Sequence, residues 1–192
     1  MLLCSKQVLH PRTFPRTVIT NFNASYLDFK LRLASQDDIP ALIRVIEDVF
    51  IEYGWDFVAK DELPDFLDYE NYFESNTMQP GKPRLFSVER ASDGVKPRIC
   101  GCIALKYNAE GAYLSRVYLQ ENVRGKGAGQ WIVEEVMGIS RLEGSAEMHL
   151  WTDTRFEAAH KLYEKLGFVK TNEIRSLHDI NNSFEWKMVT KL

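Results

Sequence analysis

The chain has 192 residues, of which 45% are hydrophobic and 27% are charged. These proportions are ordinary for one folded domain, and no apolar run approaches the roughly 18 residues of a membrane span, so we expect a soluble, cytoplasmic protein. A formal net charge of -3 and a pI near 5.9 lack the basic character of nucleic-acid-binding domains. Neither nucleic acid nor a membrane is therefore an expected partner.

The first 27 residues are the least informative part of the chain. They carry Lys6, Arg12 and Arg16, no acidic residue, and two prolines that would interrupt a long helix. This composition fits a transit peptide, but we prefer the simpler interpretation of an irregular extension or of a start codon placed too far upstream. We therefore predict an N-terminal extension, 1–27, and a single domain, 28–192.

Strands are predicted where short apolar or β-branched runs are bounded by turn signals. These runs are residues 29–33, 84–90, 99–107, 112–119, 147–152, 168–175 and 184–189. Apolar residues at helical spacing predict helices over about 39–53, 129–144 and 156–166. The strands from 84 to 119 are predicted to form hairpins, one of them with an Asp-Gly turn at 93–94. The strand, helix, strand order from 112 to 152 implies that those two strands are parallel. The predicted fold is α+β: a mixed, mostly antiparallel sheet of about six or seven strands, flanked by about four helices.

An acidic, aromatic-rich stretch separates the first predicted strand from the second. Residues 47–74 contain ten acids and one base, Lys60. Such a stretch is suited to receive an amine. An equally favoured interpretation is an amphipathic helix over residues 63–73 whose acidic face is solvated.

The three cysteines, Cys4, Cys100 and Cys102, do not form a disulfide framework. Cys100 and Cys102 occupy alternate positions of a predicted strand, so both side chains should point to one face. No second Cys or His pair stands at a spacing that completes a tetrahedral metal site. We therefore predict that these two cysteines fill the core, and we expect no bound metal.

Between the strand 112–119 and the helix 129–144 lies a turn with glycines at alternate positions, Gly125, Gly127 and Gly129. Glycine permits positive φ and close approach of a ligand, and a helix that starts here aims its unpaired N–H groups at the turn. With the charges of Arg124 and Lys126, such a place suits phosphate. The spacing matches neither the nucleotide-triphosphate loop nor the dinucleotide-binding fingerprint.

The motif Arg-x-x-Gly-x-Gly at Arg124, Gly127 and Gly129 resembles the acetyl-CoA-binding motif of the GNAT superfamily of N-acetyltransferases. Residues 159–168 resemble that superfamily's other signature, Ala-x-x-Leu-Tyr-x-x-x-Gly-Phe, on the helix after the next strand. The resemblance covers roughly residues 31–192. It implies a GNAT-like fold, in which the parallel strands splay apart to admit acetyl-CoA as a co-substrate.

The resemblance also implies site residues. Tyr163 would protonate the departing thiolate, although it could instead only pack, and the Val117 or Tyr118 N–H would stabilise the oxyanion. Phe156 replaces an asparagine that often contacts pantetheine, and it is expected to pack on the cofactor instead. The residues expected to bind the cofactor are Val117, Tyr118, Leu119, Arg124, Gly125, Lys126, Gly127, Ala128, Gly129, Gln130 and Phe156.

The predicted function is acetyl-CoA-dependent N-acetylation of a primary amine on a small molecule, an amino acid or a protein. The alternative is a catalytically weak module that binds acetyl-CoA for regulation or interaction. No general base is assigned, because Glu89, Asp153 and a water chain all stay open. The expected partner is the amine acceptor, and a homodimer is a further open alternative.

Overall fold

The computed structural model describes residues 22–73, 80–92 and 95–192. The strands are β1 (Asn23–Tyr26), β2 (Phe29–Leu33), β3 (Arg84–Ser92), β4 (Val95–Asn108), β5 (Gly111–Leu119), β6 (Glu147–Asp153), β7 (Val169–Ser176) and β8 (Phe184–Lys191). They form one eight-stranded sheet in the order β1-β2-β3-β4-β5-β6-β8-β7. Among these strands β5 and β6 pair in parallel, and every other neighbouring pair is antiparallel. The predicted mixed sheet is confirmed, with one or two strands more than expected.

The described helices number six: α1 (Ile39–Glu52), α2 (Ala59–Glu62), α3 (Pro64–Leu67), α4 (Tyr69–Tyr72), α5 (Ala128–Leu142) and α6 (Glu157–Lys165). The predicted single helix over 63–73 is wrong. Leu63 and Asp68 leave the helical region, at φ -130°, ψ 51° and φ -119°, ψ 48°, and divide the stretch into single turns. Pro64 contributes to the first break because it disfavours a helical residue before it.

The two faces of the sheet carry separate hydrophobic clusters. On one face, α5 and α6 contribute residues such as Ile132 and Tyr163, which pack with Leu31 and Leu114 of the strands. On the other face, α1, α3 and the residue after α4 pack on β3 and β4. A layer of helices on each face buries both surfaces of the central strands, as a mixed sheet requires.

The sheet begins earlier than the sequence indicated. Strand β1 lies inside the segment assigned to the N-terminal extension, and it pairs with β2 from Asn23, opposite Arg32, to Tyr26. The Tyr26 ring stacks on Trp131 of α5, with ring centroids 5.7 Å apart. Residues 1–21, with Cys4, lie outside the described residues, as does the predicted Asp-Gly turn at 93–94.

Cys100 and Cys102 do not share a face, so that expectation is wrong. The register between β3 and β4 shifts at Val88/Glu89, which makes Cys100 an extra residue in β4. Cys100 therefore joins the core beneath α5, while Cys102 joins the core beneath α1. Both fill the core as predicted, and burial raises the pKa of Cys100 to about 11 and that of Cys102 to about 12.

None of the described helices is long and apolar enough to cross a membrane.

Candidate active site

The parallel strands β5 and β6 separate halfway along their length. They pair at Ala112, Tyr113 and Leu114, and beyond Leu114 the pairing stops. From Trp151 to Asp153, β6 continues its pairing with β8, while β5 stays with β4. The predicted splay is therefore present, and it opens a cleft of about 930 Å3.

A bulge in β5 shapes the wall of this cleft. Arg116 has a positive φ of 55°, and neither Arg116 nor Val117 has a partner in the pairing with β4. A side chain in this conformation costs roughly 1–2 kcal/mol, so its surroundings must hold it there. The Arg116 guanidinium donates to both oxygens of the buried Asp65 carboxylate, with the shorter contact at 2.8 Å. The bulge leaves the backbone of Arg116 and Val117 outside the ladder with β4, and the Arg116 carbonyl accepts from the Cys102 thiol instead.

The glycine turn forms the adjoining part of the cleft. Gly125 and Gly127 have φ values of 73° and 85°, and α5 begins directly after Gly127. Within the described chain, no backbone N–H from residue 125 to 130 donates to a protein acceptor. The first such group to do so is the N–H of Trp131, which donates to the Gly127 carbonyl. Six consecutive N–H groups at a helix N-terminus form a site suited to a diphosphate.

The charged side chains of this turn are already engaged with the protein. Arg124 donates to both carboxylate oxygens of Glu52 at 2.7 Å and to the Leu119 carbonyl, so its guanidinium braces the turn against α1. Lys126 donates to the Asn122 carbonyl. Lys126 and Ala128 do not line the cleft. The other predicted cofactor-binding residues all line the cleft.

Tyr163 of α6 also lines the cleft, with 5% of its surface exposed. Burial raises its pKa well above the usual value, and the nearby Tyr118 adds to the shift. Its ring packs edge-on against Phe168, and no described residue hydrogen-bonds to its hydroxyl group. Tyr163 therefore packs in the core and also keeps a protonated donor at the cleft.

Phe156 precedes α6 and packs against two aromatic residues that follow α1. The Tyr53 and Trp55 rings lie 4.9 and 5.1 Å from it, and all three line the cleft. Trp55 also holds the Arg155 guanidinium at 3.9 Å above its ring. This aromatic group joins the α1–α2 loop to the start of α6. Sequence analysis did not place Trp55 at the site, because its position depends on these distant contacts.

A second connection joins the α1–α2 loop to the β7–β8 loop. The side-chain amide of Asn181, in the β7–β8 loop, accepts from the Asp56 N–H at 3.0 Å and donates to the Asp56 carbonyl at 2.8 Å. Arg155 donates to Asp153 and to Ser183 in the same region. The α1–α2 and β7–β8 loops, each of which contributes residues to the lining of the cleft, are therefore joined by hydrogen bonds.

The two carboxylates considered as general bases in the sequence analysis, Glu89 and Asp153, lie in different places. Glu89 accepts from Arg32 and does not line the cleft. Asp153 lines the cleft, but the Arg155 side chain binds both of its oxygens. Neither carboxylate is free to receive an incoming amine.

Comparisons with known proteins agree with this geometry. The family model described as "Acetyltransferase (GNAT) family" matches residues 46–168. N-acetylaspartate synthetase of Xenopus tropicalis is 31% identical over 106 residues, which are 54% of this chain and 36% of that protein. The chain thus spans about a third of the length of this curated relative.

Solved structures share the fold at low sequence identity. An acetyltransferase from Streptococcus agalactiae has a TM-score of 0.68 and 18% identity, covering 87% of this chain and 100% of that one. The PaiA N-acetyltransferase of Thermoplasma acidophilum, in complex with coenzyme A, has a TM-score of 0.66 and 20% identity, covering 86% and 100%. The family match extends over more than half of the chain and coincides with the splayed strands and the glycine turn. This chain belongs to the GNAT family of acetyltransferases.

Proposed function

We propose that the chain transfers an acetyl group from acetyl-CoA to a primary amine of a small molecule, an amino acid or a protein. The amine attacks the thioester directly, without an acetylated enzyme. The observation that carries the proposal is the cleft between β5 and β6, because one opening connects the unpaired N–H groups, the Tyr163 hydroxyl and the acceptor walls. The coenzyme A in the related PaiA structure supports the choice of donor.

The glycine turn fits the diphosphate of coenzyme A. The N–H groups of residues 125–130 have no protein acceptor among the described residues, and the helix N-terminus adds a favourable dipole. A Cβ on Gly129 would lie 3.3 Å from Leu162 of α6, so glycine also permits the close approach of the two helices that flank the cleft. When bound, acetyl-CoA supplies a thioester carbon that an amine can attack, with the thiolate as the leaving group.

Two groups of this chain assist the transfer. The backbone N–H of Val117 or Tyr118, next to the bulge at Arg116, donates to the carbonyl oxygen as negative charge develops there. The Tyr163 hydroxyl, kept protonated by burial, donates a proton to the sulfur. Family membership and this intact hydroxyl favour an enzyme over the alternative of a binding module.

Turnover tests the proposal directly. The protein is mixed with acetyl-CoA and a panel of diamines, amino acids that include aspartate, and short peptides, and free thiol is followed. We expect thiol release with at least one amine, and a decrease in kcat of about 100-fold in Tyr163→Phe. The matched control is Tyr72→Phe, because Tyr72 is 45% exposed on α4. Coenzyme A binding without thiol release from any amine would contradict the proposed activity.

A further inference from the structure

Of the described residues that line the cleft, five are carboxylates, and four of them are engaged or exposed. Two bind arginines, Asp153 to Arg155 and Glu185 to Arg175. Asp179 accepts from the Ser183 N–H, and Asp61 is exposed. The fifth, Glu62, is half-buried, and it forms no hydrogen bond or ion pair with any described residue. Glu62 is therefore the one half-buried cleft carboxylate in the described chain that has no partner.

Charged groups from several elements face Glu62. Burial raises its pKa, and so do the negative charges of Asp179 in the β7–β8 loop, Asp61 on α2 and Glu185 on β8. Arg116 on β5 acts in the opposite direction, but its charge is shared with Asp65. The net result is a carboxylate with a raised pKa, which holds a proton more readily than an ordinary glutamate.

The cations nearby do not compensate this charge. Lys106 and Arg116 both bind the buried Asp65, and Arg175 binds Glu185. We use the name acceptor half for the part of the cleft lined by Asp61, Glu62, Asp179 and Glu185. This half keeps an excess of negative charge, and a positively charged group that enters it meets an unpaired carboxylate.

We propose that Glu62 is the catalytic residue that binds the acceptor's ammonium group and removes a proton from it. This inference rests on the proposed acetyl transfer. Primary amines are mostly protonated at neutral pH, and a protonated amine has no lone pair with which to attack. The excess of carboxylates draws the ammonium into the cleft, and Glu62 is the one that is positioned and free to accept the proton.

The proton transfers balance. One N–H bond of the ammonium breaks, its proton passes to the Glu62 carboxylate, and the freed lone pair forms the new C–N bond as the C–S bond breaks. The leaving sulfur takes the proton of the Tyr163 hydroxyl, and a second proton from the acetylated nitrogen restores that hydroxyl. Glu62 then releases its proton to solvent, so each turnover yields one acetamide, one free thiol and one proton.

The test is Glu62→Gln, which keeps the shape of the side chain and removes its base. We expect kcat/KM at pH 7 to fall about 100-fold, and the rise of kcat/KM with pH to move toward the pKa of the free amine. Coenzyme A affinity should stay the same. The melting temperature should stay the same or increase, because a poorly solvated negative charge is removed, whereas a structural role for Glu62 predicts a decrease. Glu62→Asp should recover part of the activity and the original pH profile.

Two further variants complete the test. Glu70→Gln makes the same chemical change on the exposed surface of α4, outside the cleft, and should behave as wild type. His178→Gln removes the exposed histidine of the β7–β8 loop, whose imidazole also lines the cleft and is the alternative to Glu62 as a base. Loss of the pH-dependent rise in His178→Gln, or its persistence in Glu62→Gln at the wild-type rate, would overturn the inference. Absence of thiol release in the wild type is a different result, and it would overturn the proposed function itself.

Discussion

The two halves of the cleft are built in different ways. The half that faces the glycine turn consists mainly of backbone groups from one continuous segment, residues 117–130, with Tyr163 added from α6. The acceptor half consists of side chains from α2, the α1–α2 loop, β6 and the β7–β8 loop, which are far apart in sequence. A ligand shared by a whole family can be bound by local backbone geometry. A ligand specific to one member requires side chains that only the tertiary structure brings together.

The halves also differ in charge. In the first half, the carboxylate of Glu52 already binds Arg124, and the available groups are neutral N–H donors. In the acceptor half, Glu62 and Asp61 have no cationic partner among the described residues. The contrast suits an anionic ligand on one side and a cationic ligand on the other, and four substitutions test it.

The largest effect is expected for Asp65→Asn, because Asp65 is a buried carboxylate that binds two cations. It is 2% exposed and binds both Lys106 and Arg116, and Arg116 is the residue held at the β5 bulge. Removal of one partner from a buried ion pair typically costs 3–5 kcal/mol, and we expect urea unfolding to show a loss of about 3 kcal/mol. Asp68→Asn, an exposed change on the same stretch, should change the unfolding free energy by less than about 0.5 kcal/mol.

The loss of unfolding free energy in Asp65→Asn should depend on pH, because the carboxylate of Asp65 titrates. Burial acts to raise the pKa of Asp65, but the charges of Arg116 and Lys106 outweigh it, so the net shift is downward. A lowered folded-state pKa contributes stability above the unfolded-state pKa, and this contribution disappears as pH falls through the folded-state value. The difference in stability between wild type and Asp65→Asn should therefore be constant near neutral pH and shrink below about pH 4. A difference that is unchanged at pH 3 would show that the ion pair is not its source.

The second substitution, Gly127→Ala, tests the first half alone. Gly127 has a φ of 85°, and a side chain there costs about 1–2 kcal/mol. A Cβ would also lie 2.7 Å from the Tyr26 hydroxyl, although that hydroxyl is at the end of a side chain that can move aside. We expect a loss of about 1 kcal/mol in stability and a decrease of at least about 10-fold in coenzyme A affinity by calorimetry, because the N–H groups around residue 127 are displaced.

Gly138→Ala is the matched control. Gly138 lies in the middle of α5, its φ is not positive, and a Cβ there meets no atom within 4 Å. Alanine should stabilise the helix by about 0.5–1 kcal/mol and leave coenzyme A affinity unchanged. Equal coenzyme A affinity in the two variants would contradict the role assigned to the backbone of the turn.

The same contrast explains how much could be predicted from the sequence. Gly125, Gly127, Tyr163 and the strand that ends at Leu119 were identified in advance, because these residues belong to local motifs with fixed spacing. The bulge at Arg116 was not predicted, since no local signal requires a positive φ at an arginine. The Arg116 side chain binds the buried Asp65, which is 51 residues away in the sequence, so the contact that holds it is not local.

The position of Glu62 in the cleft was also not predicted, for a similar reason. It stands among ten acids in residues 47–74, and nothing in that pattern distinguishes a cleft residue from a solvated one. Some members of the stretch do line the cleft, but Asp65 is a buried ion-pair partner and Glu70 is exposed. The acidic stretch is thus neither one helix nor one uniform surface, and its division into single helical turns separates acids that line the cleft from acids that are buried or solvated.

The third substitution, Asn181→Ala, tests the acceptor half alone. Loss of the two hydrogen bonds between Asn181 and the Asp56 backbone should cost about 1 kcal/mol, because exposed hydrogen bonds of this kind contribute little. The α1–α2 and β7–β8 loops would then hold the acceptor walls less firmly. We expect KM for the amine to increase about 5-fold in steady-state kinetics, with coenzyme A affinity unchanged. A change in coenzyme A affinity without a change in the amine KM would reverse the assignment of the two halves.

The smallest effect is expected for Glu52→Gln, which asks whether Arg124 acts as a brace or as a phosphate ligand. Both side chains are about 30% exposed, and such a pair contributes roughly 0.2–1 kcal/mol to stability. If Arg124 only braces the turn, release from Glu52 should leave coenzyme A affinity within about 2-fold of wild type and independent of salt. If the freed guanidinium turns to the diphosphate, affinity should increase at low salt and return toward the wild-type value at high salt. The hydrogen bond from Arg124 to the Leu119 carbonyl does not involve Glu52, which favours the first result. Calorimetry at two salt concentrations distinguishes these outcomes. An increase in coenzyme A affinity that depends on salt would show that a positive side chain, as well as backbone N–H groups, binds the ligand in the half that faces the glycine turn.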